Sequence, residues 1–194
     1  MNLPNAITLS RLGLTAVFVA AMSFPGLAGY STALISFSVA AATDWLDGYL
    51  ARKMGLVTPL GKLLDPLADK ILVCAAFVFM SKLGYAPVWV TAVIIGREFL
   101  VTGLRQIAVE AGVVLAADRL GKWKTTFQLT FVITALVWLS FSRMTDRGLA
   151  AEFLWKLADP AGWLMPAALW ISLGLTVVSG WNYLWSGRGL LKGA

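Results

Sequence analysis

Asp44-Trp45-Leu46-Asp47-Gly48-Tyr49-Leu50-Ala51-Arg52, followed eight residues later by Gly61 and then by Asp65 and Asp69, sets four carboxylates into an otherwise apolar stretch. An isolated carboxylate is costly to bury in hydrocarbon, so acids inside apolar spans line polar cavities and serve a function. Their spacing lets the four converge only if two helices face each other. Asp44 and Asp47 share a helix face at i,i+3 with Gly48 and Ala51 beside them. Gly61, Asp65 and Asp69 step along one face of the next helix at i,i+4. Two carboxylates from each helix suit a hard divalent cation such as Mg²⁺, which takes oxygen ligands and phosphate partners. The alternative, surface acids on solvated helix ends, is at odds with flanks too apolar for a soluble helix.

The rest of the composition agrees with a membrane setting. Of 194 residues, 59% are hydrophobic and 13% charged, and the mean hydropathy is +0.77. A soluble core of this size would not need so much apolar surface. The single Cys74 cannot form an internal disulfide and sits in an apolar run, which reads as packing. There is no histidine. The usual general base, the usual zinc ligand and any Ser-His-Asp arrangement are therefore excluded, and acid–base chemistry falls to a carboxylate, a lysine or a tyrosine. The net charge of +6 is scattered between hydrophobic spans. It points to anionic membrane lipids or a phosphorylated substrate rather than to nucleic acid.

The expected fold class is an all-α integral membrane protein, one domain over residues 1–194, with six transmembrane helices and a short N-terminal juxtamembrane segment. The apolar segments run over 7–25, 31–52, 63–83, 86–108, 125–142 and 162–185, each near the ~20 residues that a membrane helix needs. Pro25-Gly26, Pro59-Leu60-Gly61, Gly84 to Pro87 and Pro160-Ala161-Gly162 punctuate the joins. Thr58-Pro59 suits a cap and first residue for the third span, and Pro66 is a candidate kink beside the acids. The run after Arg11 reads as a span rather than a signal peptide, because the segment before it is polar and patterned. No internal repeat is visible. Of the sixteen lysines and arginines, all but Lys82, Arg143, Arg147 and Lys156 fall at one end of this arrangement. The positive-inside rule then puts both termini and all four aspartates on the cytoplasmic side. Residues 143–159 become an external loop or surface helix.

A second constellation is basic. Arg97 and Arg105 lie two turns apart on the fourth span, and Lys122 and Lys124 open the fifth. Cations on adjoining helix ends, facing an acid–metal cluster, would cradle a phosphate. The plainer alternative pairs Arg97 with Glu98 and leaves the lysines as interfacial anchors. Gly48 and Ala51 give either close helix packing or room for a nucleotide against the backbone. Arg52 either snorkels to the interface, pairs with a diphosphate or holds one of the aspartates.

The pattern Asp44-x2-Asp47-Gly48-x2-Ala51-Arg52-x8-Gly61-x3-Asp65-x3-Asp69 resembles the signature of the CDP-alcohol phosphotransferase family, with every fixed position present. Members move a phosphatidyl or similar group from a CDP-linked donor to an alcohol and release CMP. The resemblance implies Asp44, Asp47, Asp65 and Asp69 around one or two Mg²⁺ or Mn²⁺ ions, with Asp69 as a further metal ligand or as general base. It implies a CDP-diacylglycerol site at Asn5, Thr8, Asp47, Gly48, Ala51, Arg52 and Gly61, since the stretch Asn2 to Arg11 is also similar to the family's opening; a capped helix start explains that stretch equally well. Gly96-Arg97-Glu98-Phe99, Gly103-Leu104-Arg105 and Leu120-Gly121-Lys122-Trp123-Lys124-Thr125 through Gln128 are similar to the bacterial members that take sn-glycerol 3-phosphate and make phosphatidylglycerophosphate. Arg97, Arg105, Lys122 and Lys124 would then hold the acceptor's phosphate, with Tyr183 and Arg188 near enough to reach the site. A homodimer in the bacterial inner, or cytoplasmic, membrane is implied as well. Three rivals remain: a sister enzyme that uses serine or inositol phosphate, an intramembrane prenyltransferase and a cation transporter. The first leaves the basic cluster unexplained when its acceptor is uncharged or zwitterionic, the second resembles longer chains, and the third calls for the repeats missing here.

Overall fold

In the computed structural model the described backbone covers residues 3–54, 59–113 and 119–191, and the described side chains are those of 9–43, 70–113 and 120–188. Seven helices account for these residues: α1 (Leu3–Ser23), α2 (Leu27–Met54), α3 (Pro59–Lys82), α4 (Val88–Glu110), α5 (Arg119–Phe141), α6 (Leu149–Leu157) and α7 (Leu164–Leu191). All but α6 are 21 to 28 residues long, or roughly 32–42 Å at 1.5 Å per residue. Each of the six expected apolar segments lies largely within one long helix. Pro59 starts α3 as anticipated, and the helix continues through Pro66. α1 begins at Leu3, so the described residues ahead of the first expected apolar segment belong to the same helix. Pro4 falls in its first turn, where a missing N–H costs nothing because it has no intrahelical acceptor.

Two described stretches are long and apolar enough by themselves to cross a membrane, Leu120–Phe141 and Leu164–Arg188. The two shorter apolar helices are Leu9–Ser23 and Leu27–Thr43. In α4 the apolar run is broken by Arg97, Glu98 and Arg105. Charged residues inside an apolar helix lower its plain hydropathy signal for that reason.

The core is built from rings contributed by successive helices. Phe18 of α1 meets Phe37 of α2 at 5.6 Å and Phe79 of α3 at 6.1 Å, while Phe77 of α3 meets Phe131 of α5 at 5.5 Å. Phe18, Phe37, Phe77 and Phe131 are fully buried. α1 packs along α2, α5 lies against both α2 and α7, and α4 packs on α7. α4 and α7 run parallel, as Trp89 beside Trp170, Arg97 beside Gly180 and Leu104 beside Gly187 show.

The outside of the bundle is apolar. Val88, Trp123, Trp163, Val177, Val178 and Trp181 are exposed, a surface suited to lipid and not to water. Tryptophans form a belt at each end: Trp89, Trp138, Trp163 and Trp170 at one, Trp123, Trp181 and Trp185 at the other. Trp123 and Trp138 on α5, like Trp170 and Trp185 on α7, are separated by about 22 Å of helix. Such paired girdles mark the two interfaces of a bilayer.

The short α6 joins α5 to α7 at one end and has no buried residue. Trp155 stacks on Trp138 at 4.9 Å with nearly parallel rings, donates Nε1–H to Ser142, and has Arg147 over its ring at 4.4 Å. The hydrogen bond from Lys156, ion-paired at 2.7 Å, holds the exposed Glu152 carboxyl below its ordinary range. Of the two readings of 143–159, loop or surface helix, the structure has a short helix over Leu149–Leu157 flanked by irregular residues.

The α1–α2 turn is tight. A Cβ on Gly29 would lie 1.9 Å from the Phe24 carbonyl oxygen, a backbone atom that cannot swing away. Gly29→Ala is predicted to cost about 1–3 kcal/mol of stability. Thermal unfolding in detergent checks it, and an unchanged midpoint would show that the turn relaxes freely.

Candidate functional site

Charged side chains converge where α3, α4, α5 and α7 meet, around Glu98. This carboxylate is 3% exposed. Lys124 of α5, equally buried, donates a short charge-assisted hydrogen bond to its Oε1. Lys70 of α3 approaches Oε2 at 3.3 Å, and Arg97, its neighbour on α4, lies 3.7 Å from Oε1. A buried carboxylate with both oxygens engaged by cations from three helices avoids the large cost of an unpaired buried charge.

Arg97 extends the cluster to α7. Its guanidinium donates to Ser179 Oγ, and its carbon lies 5.7 Å from the centre of the Tyr183 ring. Arg105 lies 5.8 Å from the same centre. One ring thus attracts two guanidinium groups that would otherwise repel each other. A Cβ on Gly180 would come 3.0 Å from Arg97 Cγ, so the glycine makes room for the arginine's stem. Among the described residues Arg97 Nε is buried with no hydrogen-bond partner. Below the cluster, α7 turns a polar seam inward: Ser172, Thr176 and Ser179 are fully buried, and Gln128 of α5 donates to Thr176 at 3.5 Å.

Three of the four expected cradle residues, Arg97, Arg105 and Lys124, meet around Glu98 and Tyr183. Lys122 does not share their face. It is exposed while Lys124 is buried, because residues two apart on a helix point to opposite sides. Arg188 lies over Trp185 at 4.2 Å, at the end of α7. Arg97 does contact Glu98, as the plainer reading had it, but through a shared cluster rather than an isolated pair. Sequence reasoning gave Glu98 no role beyond that pair and gave Lys70 none beyond orientation. The available signal was that charges within apolar spans seek one another.

Asp44, Asp47, Gly48, Ala51 and Arg52 lie on α2, and Gly61, Asp65 and Asp69 on α3. Their side chains, with those of Asn5 and Thr8 on α1, lie outside the described residues. α2 and α3 touch each other. Among the described residues no three acids, histidines or cysteines gather into a cation site. Lys70 directly follows Asp69, so the Glu98 cluster begins one residue from the acid series.

The profile of the CDP-alcohol phosphatidyltransferase family matches residues 1–178. The CDP-diacylglycerol–glycerol-3-phosphate 3-phosphatidyltransferase of Bacillus subtilis (strain 168) is 42% identical over 195 residues, which cover 94% of this chain and 93% of that protein. The protein of the same name from Pseudomonas fluorescens is 41% identical over 142 residues, 70% of this chain and 72% of its own. A cardiolipin synthase (CMP-forming) of Oryza sativa subsp. japonica is 35% identical over 92% of this chain and 55% of its own length.

Proposed function

The chain belongs to the CDP-alcohol phosphatidyltransferase family, and from that premise we propose that it transfers a phosphatidyl group from CDP-diacylglycerol to sn-glycerol 3-phosphate, giving phosphatidylglycerophosphate and CMP. The observation that carries this acceptor is the cluster of Arg97, Lys124 and Lys70 around one carboxylate, with Arg105 beside Arg97 over the Tyr183 ring. Three cations against Glu98, with Arg105 nearby, leave an excess of positive charge, which a phosphate fits and which serine would leave uncompensated. The Bacillus subtilis relative named for this reaction covers 94% of the chain at 42% identity.

Asp69 accepts the proton of the acceptor hydroxyl, and the resulting alkoxide attacks the phosphorus that carries the diacylglycerol, with CMP leaving. The lysines and arginines bind the acceptor's phosphate and so orient its hydroxyl toward α3. Asn5, Thr8, Gly48, Ala51, Arg52 and Gly61 line the donor's nucleotide and diphosphate. Asp44, Asp47, Asp65 and Asp69, hard oxygen donors on two touching helices, fit one or two Mg²⁺ or Mn²⁺ ions. When bound, such ions neutralise the diphosphate and the departing nucleotide.

All six long helices cross the membrane in this reading, and α6 lies on its outer surface. Both termini and the site face the cytoplasm, supported by the gathering of cations at that end. The donor enters sideways between helices with its tails in hydrocarbon. The protein works as a homodimer of the bacterial inner membrane, as the family resemblance implies.

The test is CMP release by purified protein with CDP-diacylglycerol and Mg²⁺, comparing glycerol 3-phosphate, serine, inositol phosphate and no acceptor. Release with glycerol 3-phosphate alone is expected. Release with another alcohol instead would keep the family chemistry and remove this acceptor.

A further inference from the structure

We propose that Glu98 is a positioning residue for the acceptor: it gathers Lys70, Lys124 and Arg97 into one phosphate-binding face without touching the substrate. The inference rests on reading this cluster as the acceptor's site. Three cations on three separate helices repel one another, and the repulsion is strong where water is scarce. Among the described residues Glu98 is the carboxylate that contacts all three. Its Oε1 takes Lys124 and lies 3.7 Å from Arg97, and its Oε2 faces Lys70 at 3.3 Å.

With both oxygens engaged from within, Glu98 has little to offer a ligand, whereas Arg97 Nε is buried with no hydrogen-bond partner among the described residues. Because Lys70 follows Asp69 along α3, the same contact ties the phosphate site in register with the proposed base.

Glu98→Gln separates this role from simple charge attraction, because the two predict opposite signs. Adding one net positive charge should tighten an anion site that works by attraction alone. Loss of the organising carboxylate should loosen a site that works by geometry. The expected result is a KM for glycerol 3-phosphate raised about 10-fold or more, the loss of one to two charge-assisted hydrogen bonds. The KM for CDP-diacylglycerol should hold, the unfolding midpoint in detergent should fall because Lys124 loses its buried partner, and Glu98→Asp should recover part of both losses. A KM for glycerol 3-phosphate that falls or stays level overturns the proposal, as does a parallel rise in both KM values. If Glu98→Gln does not fold, Glu98→Asp decides: its shorter reach should raise the acceptor KM alone, and no rise overturns the proposal. If Arg105→Ala also leaves the acceptor KM untouched, the acceptor site itself has been misassigned, a failure distinct from that of Glu98.

Discussion

Asp69→Asn is expected to lower CMP release by about 10²–10⁴-fold, the range that a positioned general base contributes. The substitution keeps the size of the side chain and removes its ability to take a proton. In a chain without histidine, the other three aspartates are assigned to the metal and not to the acceptor hydroxyl. Asp44, Asp47 and Asp65 remain as carboxylates, so metal-dependent binding of CDP-diacylglycerol should persist while turnover disappears. A binding measurement on the variant checks this. If donor binding is lost together with turnover, Asp69 serves first as a ligand and its role as base falls.

Arg105→Ala should raise the KM for glycerol 3-phosphate by about 10- to 100-fold, as the loss of a charge-assisted bond to phosphate would. The KM for CDP-diacylglycerol should stay in place. Arg105 is exposed and shares the Tyr183 ring with Arg97. Its removal therefore leaves no buried charge without a partner, and a folding defect is not expected to obscure the kinetics. Initial rates with each substrate varied in turn decide the matter. An equal rise for both substrates would show that Arg105 acts on the shape of the site and not on the acceptor.

Arg97 differs from Arg105 in an instructive way. It is nearly buried, bonded to Ser179 and beside Glu98, so its replacement would disturb the join between α4 and α7 as well as any ligand. Exposed members of a charged cluster report on substrate, whereas buried ones report on substrate and folding together.

The sequence alone determined the helical class, the places where helices end and the register of the acid series, because these follow from local pattern. Apolar run lengths, Pro and Gly at the joins, and aspartates at i,i+3 and i,i+4 need no knowledge of neighbours. The shared face of Arg97 and Arg105 was legible for the same reason. Only the tertiary structure decided which helices touch and which charges meet. Lys70, Glu98 and Lys124 lie far apart in the chain, and Arg97 reaches Ser179 across 82 residues. In a membrane bundle both the lipid-facing and the packed surfaces are apolar, so hydropathy does not say which face turns inward. α7 shows this directly: Val177, Val178 and Trp181 face outward, while Ser172, Thr176 and Ser179 are buried. That inversion gives Arg97 its hydroxyl partner, and the same rule gathers Lys70, Arg97 and Lys124 on Glu98, because polar groups in hydrocarbon are satisfied only by one another.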